Sequence, residues 1–320
     1  METRTDLTAF ARKTGEIKQR IAEIIVGQTE AVDLLLTCVI ADGHVLLEGV
    51  PGVAKTLLAR LVSRLIDARF SRVQFTPDLM PSDVLGTSVF NMKTSEFDFH
   101  PGPAFADIVL ADEINRAPAK TQAALFEVME ERQATIDGTS YAMGDVYTII
   151  ATQNPVEHEG TYRLPEAQLD RFLMKITMGY PSVEEEVEIL SRHNARSNFS
   201  RLDDVQPVIT KDELLSLRDM LDSVVVDASL LRYIAQIVAE SRESRAVYVG
   251  CSPRASVAML QCAKAYALLQ GRDFVTPDDI KTVAPYVMQH RLQLTAETEM
   301  EGFTPLDVAR KLIEKVEVPK

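Results

Sequence analysis

The most constraining feature of the sequence is the loop at 49–56, Gly-Val-Pro-Gly-Val-Ala-Lys-Thr, which lies between a short apolar segment and an amphipathic one. Its spacing follows GxxxxGK[ST], in which backbone N–H groups surround phosphates, the lysine neutralises phosphate charge and the hydroxyl binds Mg²⁺. Ala54 replaces the second glycine of that pattern. A glycine-rich turn with a surface lysine is the alternative interpretation, but the order strand, loop, helix favours a nucleotide site.

A second feature supports this interpretation. The apolar segment 108–111 ends in two carboxylates, Asp112 and Glu113. Acids at the carboxyl end of a strand lie at the edge of the sheet where α/β proteins bind ligands. There Asp112 can orient Mg²⁺ and Glu113 can polarise an attacking water. The alternative is a strand that ends in solvated acids.

The pattern along the chain predicts an α/β fold followed by a helical part. Short apolar segments at 44–48, 72–75, 107–111, 147–152 and 172–177 alternate with helical patterns, which indicates a parallel sheet covered by helices on both faces. The segments 86–99 and 133–143 resemble β-hairpins, the second with Asp137-Gly138 as its turn. After Tyr180-Pro181 helical patterns dominate, and Thr276-Pro277 is a typical helix start. We therefore predict domains at 1–179 and 181–320.

Composition narrows the class of protein. The chain has 320 residues, 46% of them hydrophobic, and a formal net charge of −13, so the broad basic surface of a nucleic-acid-binding protein is missing. No apolar stretch approaches the roughly 18 residues that a membrane span needs. Three scattered cysteines and an N-terminus without a secretory signal pattern lead us to expect the cytoplasm.

Several consecutive motifs make the chain resemble the MoxR family of AAA+ ATPases over nearly its whole length. The motifs are GVPGVAKT at 49–56, DEINRAP at 112–118, ATQNP at 151–155, LPEAQLDRF at 164–172 and GCSPRA at 250–255. The family's own loop has the form GxPGxAKT, so Ala54 fits it, whereas Arg163 stands where the family pattern predicts a small residue or proline. The resemblance implies a P-loop NTPase core, with its parallel sheet sandwiched by helices, followed by an all-α lid domain.

The resemblance also implies roles for single residues. Asn154 would be sensor 1, which hydrogen-bonds the attacking water or the γ-phosphate, although an asparagine that caps a turn is the alternative. Arg171 would be an arginine finger for a neighbouring subunit's nucleotide, with a salt bridge to Asp170 or Glu166 as the alternative. Arg254 would be sensor 2, on its own or a neighbour's nucleotide, with an exposed arginine at a helix start as the alternative.

The remaining implied site residues hold the nucleotide and the metal. The backbone near Gly27 would border the adenine. The metal ligands would be Thr56 and Asp112, and the phosphate-loop residues are Gly49, Gly52, Val53, Ala54, Lys55, Thr56 and Leu57.

The two predicted hairpins resemble inserts that mark the branch of AAA+ proteins containing MoxR, the magnesium-chelatase ATPase subunit and MCM helicases. Hairpins of this kind often face the pore of a ring. Phe90, Phe97 and Phe99 are candidates for contact with a client, and packing within the hairpin is the alternative.

From these observations we expect an enzyme that hydrolyses ATP with Mg²⁺ in a homo-oligomeric ring, by resemblance a hexamer. Family members are thought to remodel or activate other proteins, often with a partner that bears a von Willebrand factor type A domain. Two alternatives stay open. One is a nucleic-acid or chelatase-type motor, and the other is a nucleotide-dependent binding switch with negligible turnover.

Overall fold

A computed structural model describes residues 7–155, 162, 164–194 and 202–319, so Arg163 lies outside the described residues. The strands in the described chain are β1 Val45–Gly49, β2 Phe70–Gln74, β3 Gly86–Asn91, β4 Glu96–Pro101, β5 Ile108–Asp112, β6 Gln133–Ile136, β7 Thr139–Ala142, β8 Thr148–Gln153, β9 Met174–Met178, β10 Val247–Val249 and β11 Gln293–Leu294. The helices are α1 Leu7–Ile24, α2 Thr29–Ile40, α3 Lys55–Leu65, α4 Pro81–Leu85, α5 Ala119–Glu131, α6 Glu166–Leu169, α7 Val183–Asn194, α8 Lys211–Asp219, α9 Ala228–Glu243, α10 Pro253–Leu269, α11 Pro277–Met288, α12 Ala296–Met300 and α13 Pro305–Lys315.

Five strands form one parallel sheet in the order β2-β5-β8-β1-β9. Alternate residues of β1 point to opposite faces, as the pleat of a strand requires. Val45 and Leu47 join a core with α1, α2 and α3, and Leu46 joins a second core built on α5. Both faces are therefore covered by helices, which confirms the predicted parallel α/β sheet.

Both predicted hairpins are present. β3 pairs with β4 and β6 pairs with β7, each antiparallel. Asp137 and Gly138 have φ of 50° and 79°, the left-handed values that a tight hairpin turn needs. Phe99 stacks on Tyr141 of the other hairpin at 4.1 Å between ring centroids, so it packs within the protein. Phe90 and Phe97 contact each other edge to face and stay largely exposed.

The C-terminal part is helical, as predicted. Thr276 caps α11 by accepting a hydrogen bond from the backbone N–H of Asp279, and Pro277 is its first residue. The short antiparallel pair β10–β11 and the last two helices are elements that the sequence analysis did not predict. Among the described residues, none of the helices combines the length and the apolar composition that a membrane span requires.

Candidate nucleotide-binding site

The phosphate loop joins the carboxyl end of β1 to the amino end of α3. Gly52 has φ of 89° and Ala54 has φ of 66°, so two positions adopt left-handed backbone within three residues. The first N–H groups of α3, which lack partners inside the helix, therefore open toward the loop. A Cβ on Gly49 would lie 2.6 Å from the Met178 carbonyl oxygen, so only glycine fits where the loop leaves the sheet.

Lys55 is held inside its own loop. Its Nζ donates hydrogen bonds to the carbonyl oxygens of Gly49 and Val50, the second at 3.1 Å. The ammonium group thus lies over the hollow that the loop encloses. Because the lysine side chain is already ordered, binding of an anion costs little further side-chain entropy.

Asp112 is fixed by three neighbouring elements. Its Oδ1 accepts a hydrogen bond from Thr152 Oγ1 at 2.6 Å, and its Oδ2 accepts one from Thr56 Oγ1 at 3.4 Å. Arg72 of β2 contacts the same Oδ2 through Nε at 3.0 Å and Nη2 at 2.7 Å. Asp112 is only 6% exposed, so this carboxylate is both shielded from water and precisely oriented.

Glu113 follows with a left-handed backbone, φ 56°, an uncommon conformation for a non-glycine residue that is concentrated at functional sites. Its backbone N–H donates to Thr152 Oγ1 at 2.9 Å. Its carboxylate Oε2 accepts hydrogen bonds from Gln74 Nε2 at 2.7 Å and Arg116 Nη1 at 3.0 Å. Thr152 therefore orients both acids, one through its proton and one through its oxygen.

A cavity of about 400 Å³ lies where these elements meet. The predicted residues that line it are Gly52, Ala54, Lys55, Thr56, Leu57, Asp112, Glu113 and Asn154. Asn154 directly follows β8 and is 6% exposed, so its amide is buried at the edge of this cavity. Gly49 and Val53 support the loop from behind and are not among the lining residues.

Gly27 lies apart from that cavity, in the turn between α1 and α2. Gly27 and Gln28 have φ of 71° and 57°, and Gln28 Nε2 donates to the Gly179 carbonyl at 2.9 Å. A Cβ on Gly27 would lie 2.4 Å from the Glu185 carboxylate. The turn therefore packs against the junction between the sheet and the helical part.

Arg171 and Arg254 lie at the other end of the sheet. Arg171 lies three residues before Met174, the first residue of β9, because the strand begins two residues later than the predicted apolar segment 172–177. Parallel strands all point the same way, and β9 spans roughly 16 Å, so Arg171 is separated from the carboxyl edge by more than the reach of its side chain. The two arginines border one cavity together with Glu130 and Asp170.

The ion pairs at that end differ from the predicted alternative. Arg171 forms an ion pair with Glu130 at 2.6 Å, and within the described residues it forms none with Asp170 or Glu166. Asp170 pairs instead with Arg254 at 3.4 Å and with Arg291 at 2.6 Å. Asp170 thus holds Arg254, which comes from the helical part, beside Arg171, which precedes β9.

Besides Pro51 of the loop, three residues that line the cavity were missed by the sequence analysis: Arg72, Gln74 and Thr152. Arg72 and Gln74 alternate on β2, so both side chains reach the same face, and β2 pairs with β5 so that Gln74 lies opposite Asp112. The available signal was two polar residues at the end of an apolar strand. Their partners depend on β2 lying next to β5, which the sequence does not state.

The donors at this edge fit Mg²⁺ bound together with phosphates. Magnesium prefers oxygen ligands and keeps several waters, so one or two protein ligands suffice when phosphates supply others. Thr56 and Asp112 offer a hydroxyl and a carboxylate oxygen that face each other. Within the described residues no cluster of three or more His, Cys, Asp or Glu could hold a metal ion on its own.

Comparison with known proteins gives matches along almost the entire chain. Residues 44–174 match the family described as "ATPase family associated with various cellular activities (AAA)", and residues 239–312 match the AAA lid domain. The chain is 47% identical to the uncharacterized protein YeaC of Bacillus subtilis, over 95% of this chain and 94% of that protein. It is 42% identical to Chaperone MoxR1 of Mycobacterium tuberculosis, over 94% and 81%.

Two further matches have lower sequence identity and also cover almost the entire chain. Protein MoxR of Methylorubrum extorquens is 31% identical over 98% of this chain and 97% of that protein. A crystal structure of a candidate ATPase from Cytophaga hutchinsonii superposes with a TM-score of 0.89 at 40% identity, covering 98% of this chain and 97% of that one.

Proposed function

We propose that this chain, which belongs to the MoxR family of AAA+ ATPases, hydrolyses ATP with Mg²⁺ in a ring of identical subunits. The observation that carries the proposal is the cluster of Lys55, Thr56, Asp112, Glu113 and Asn154 around one cavity at the carboxyl edge of the sheet. Each side chain is of the type that phosphoryl transfer to water needs at that position.

The phosphates would be held by the amides of the loop and by Lys55, whose ammonium group already points into the loop. The oxygens of Thr56 and Asp112 would hold Mg²⁺, which neutralises charge that develops on the phosphates. Gly27 and its neighbours would border the adenine, because the turn lies at the junction between sheet and helical part. We assign the boundary of the two domains to 179–182, between the end of β9 and the start of α7.

Glu113 would orient and polarise the attacking water, and the amide of Asn154 would hydrogen-bond that water or the γ-phosphate. The backbone of Glu113 is fixed by Thr152, so its carboxylate can turn without displacing the strand. Most of the catalysis would come from positioning and charge, since phosphoryl transfer needs little covalent chemistry from the protein.

Arg171 and Arg254 would complete a neighbouring subunit's site. Arg171 is separated from its own cavity by the length of β9, and Arg254 is held beside it through Asp170. In a head-to-tail ring one face of each subunit contacts the opposite face of the next subunit. Both arginines can then reach the nucleotide that the neighbouring subunit binds. This arrangement supports an oligomer, which we take to be a hexamer by family resemblance.

We further propose that the ring remodels or activates client proteins in the cytoplasm, with a partner that bears a von Willebrand factor type A domain. The support is the likeness to a protein named as a chaperone and the three buried free cysteines, which suit a reducing compartment. The net charge of −13 argues against a nucleic-acid motor.

Phosphate release by two mixed variants tests the catalytic proposal. Glu113→Gln should bind ATP and hydrolyse it poorly, and Arg171→Ala should lose about 1000-fold in turnover. A 1:1 mixture should regain activity, because about a quarter of the interfaces combine an intact Glu113 with a neighbour's intact Arg171. Wild-type turnover in Glu113→Gln would refute its role, and a mixture as inactive as its components would refute the shared site. Negligible turnover by the wild-type ring would favour a binding switch.

A further inference from the structure

Arg72 makes a contact that the proposed mechanism does not use. Its guanidinium reaches across from β2 and places two nitrogens within 3.0 Å of a single oxygen, Asp112 Oδ2. The side chain of Arg72 is 48% exposed, whereas that of Asp112 is 9% exposed. Arg72 Nη2 also donates to Gln74 Oε1 at 2.8 Å. A half-exposed cation thus contacts a nearly buried carboxylate.

The oxygen that Arg72 contacts is the one that faces the proposed metal position. Oδ1 already accepts the Thr152 proton at 2.6 Å, whereas Oδ2 lies 3.4 Å from the hydroxyl of Thr56. A metal ion shared by Thr56 and Asp112 must therefore use Oδ2. Two cations cannot occupy the same side of one oxygen, because their mutual repulsion in this shielded site is large.

We propose that Arg72 is a positioning residue that occupies the metal-facing oxygen of Asp112 while the site is empty and gives it up when Mg²⁺ enters with a nucleotide. The guanidinium supplies a counter-charge to a carboxylate that is nearly buried. Because its side chain is 48% exposed, the guanidinium can turn outward into solvent when the metal takes its place. This inference rests on the proposed Mg²⁺–nucleotide site.

A purely structural brace between β2 and β5 is the competing explanation. The two strands are already joined along their whole length, from Phe70 opposite Ile108 to Gln74 opposite Asp112. A brace of that kind exists at the other end, where Arg69 contacts Asp107 at 3.0 Å, far from the cavity. Arg69 therefore serves as the matched control: it is the same residue type, it directly precedes β2, and it pairs with Asp107, which directly precedes β5 and has no metal role.

The experiment measures metal affinity directly. Full-length protein is saturated with ADP and titrated with Mn²⁺, whose free form is counted by electron paramagnetic resonance. Arg72→Gln should lower the Kd for Mn²⁺ about tenfold, since it removes a charge-assisted contact to the ligand oxygen. Arg69→Gln should leave the Kd unchanged. ADP affinity in EDTA should change by less than about threefold in either variant, because without a metal ion Arg72 stays on Asp112 whether or not ADP is bound.

Each outcome has a definite meaning. Equal Mn²⁺ affinity in wild type and Arg72→Gln overturns the inference, as does a loss of metal-free ADP binding without a gain in Mn²⁺ affinity. If Arg72→Gln unfolds below the assay temperature, Arg72→Lys replaces it. A lysine cannot make both contacts, so its Kd should fall about threefold. If wild-type protein binds ADP but never Mn²⁺, both the proposed metal site and the inference fail.

Discussion

Thr152 is the residue on which the two acids of the site depend, and replacing it with valine tests the geometry most sharply. The side chain is 1% exposed and lies on β8 between them. Its hydroxyl donates to Asp112 Oδ1 at 2.6 Å and accepts from the Glu113 N–H at 2.9 Å. Valine has nearly the same shape and suits a strand, so Thr152→Val removes two hydrogen bonds and little else.

The expected cost follows from those two contacts. A buried donor or acceptor that loses its partner costs about 1–3 kcal/mol, and a charged acceptor lies at the upper end of that range. We therefore expect Thr152→Val to lower the free energy of unfolding by about 3 kcal/mol. Turnover should fall about 100-fold, because displacement of a catalytic group by about 1 Å has an effect of that size.

Thr152→Ser is the matched control, since it keeps the hydroxyl and loses one methyl group worth about 1 kcal/mol. Urea unfolding monitored by circular dichroism gives the stability of each variant, and phosphate release gives its turnover. Serine should retain most of the wild-type turnover. If the valine and serine variants match each other in stability and in turnover, Thr152 does not orient the acids.

Three further predictions concern single residues. Arg254→Ala should lower turnover at least about tenfold yet leave the nucleotide Kd of dilute subunits unchanged, since Arg254 lies away from its own cavity; a weakened Kd would indicate a contact within one subunit. Ala54→Gly should raise the free energy of unfolding by about 0.5–1 kcal/mol, because φ of 66° strains alanine; an unchanged or lowered value in urea would contradict that. Burial holds the pKa of His44 at about 3, so only the unfolded state takes up its proton below about pH 6.5. His44 should therefore lower the free energy of unfolding by about 2 kcal/mol between pH 7 and pH 5. In His44→Gln the free energy of unfolding should depend less steeply on pH, and equal slopes in the variant and the wild type would refute this.

The sheet and the central site could be predicted because their signals are local. An apolar segment followed by a glycine loop needs only adjacent residues, and so does a strand that ends in Asp112 and Glu113. Parallel strands bring their carboxyl ends to one edge, so each motif could be assigned to the same cavity without a structure. The confirmed Thr276 cap of α11 is equally local, since it involves residues three apart.

Contacts between distant elements could not be predicted in the same way. Arg72 and Gln74 matter only because β2 lies beside β5, an order that separates β1 from both in the sheet. The partner of Arg171 was also missed, because Glu130 comes from the end of α5 and meets it only through folding. Nearby acids such as Asp170 looked equally suitable in the sequence, yet that carboxylate is taken by two other arginines.

The direction of the strands supports the proposed ring more strongly than any sequence motif does. A residue that precedes a parallel strand and a residue that follows one lie at opposite edges of the sheet. Arg171 precedes β9, whereas Lys55, Asp112 and Asn154 lie at or beyond the ends of their strands. Motif spacing alone left open whether Arg254 serves its own subunit, but Asp170 ties it to the edge where Arg171 lies. In the proposed ring, Arg171 and Arg254 act on the nucleotide of a second copy of the chain, so dilution to monomers should abolish turnover and leave nucleotide binding intact.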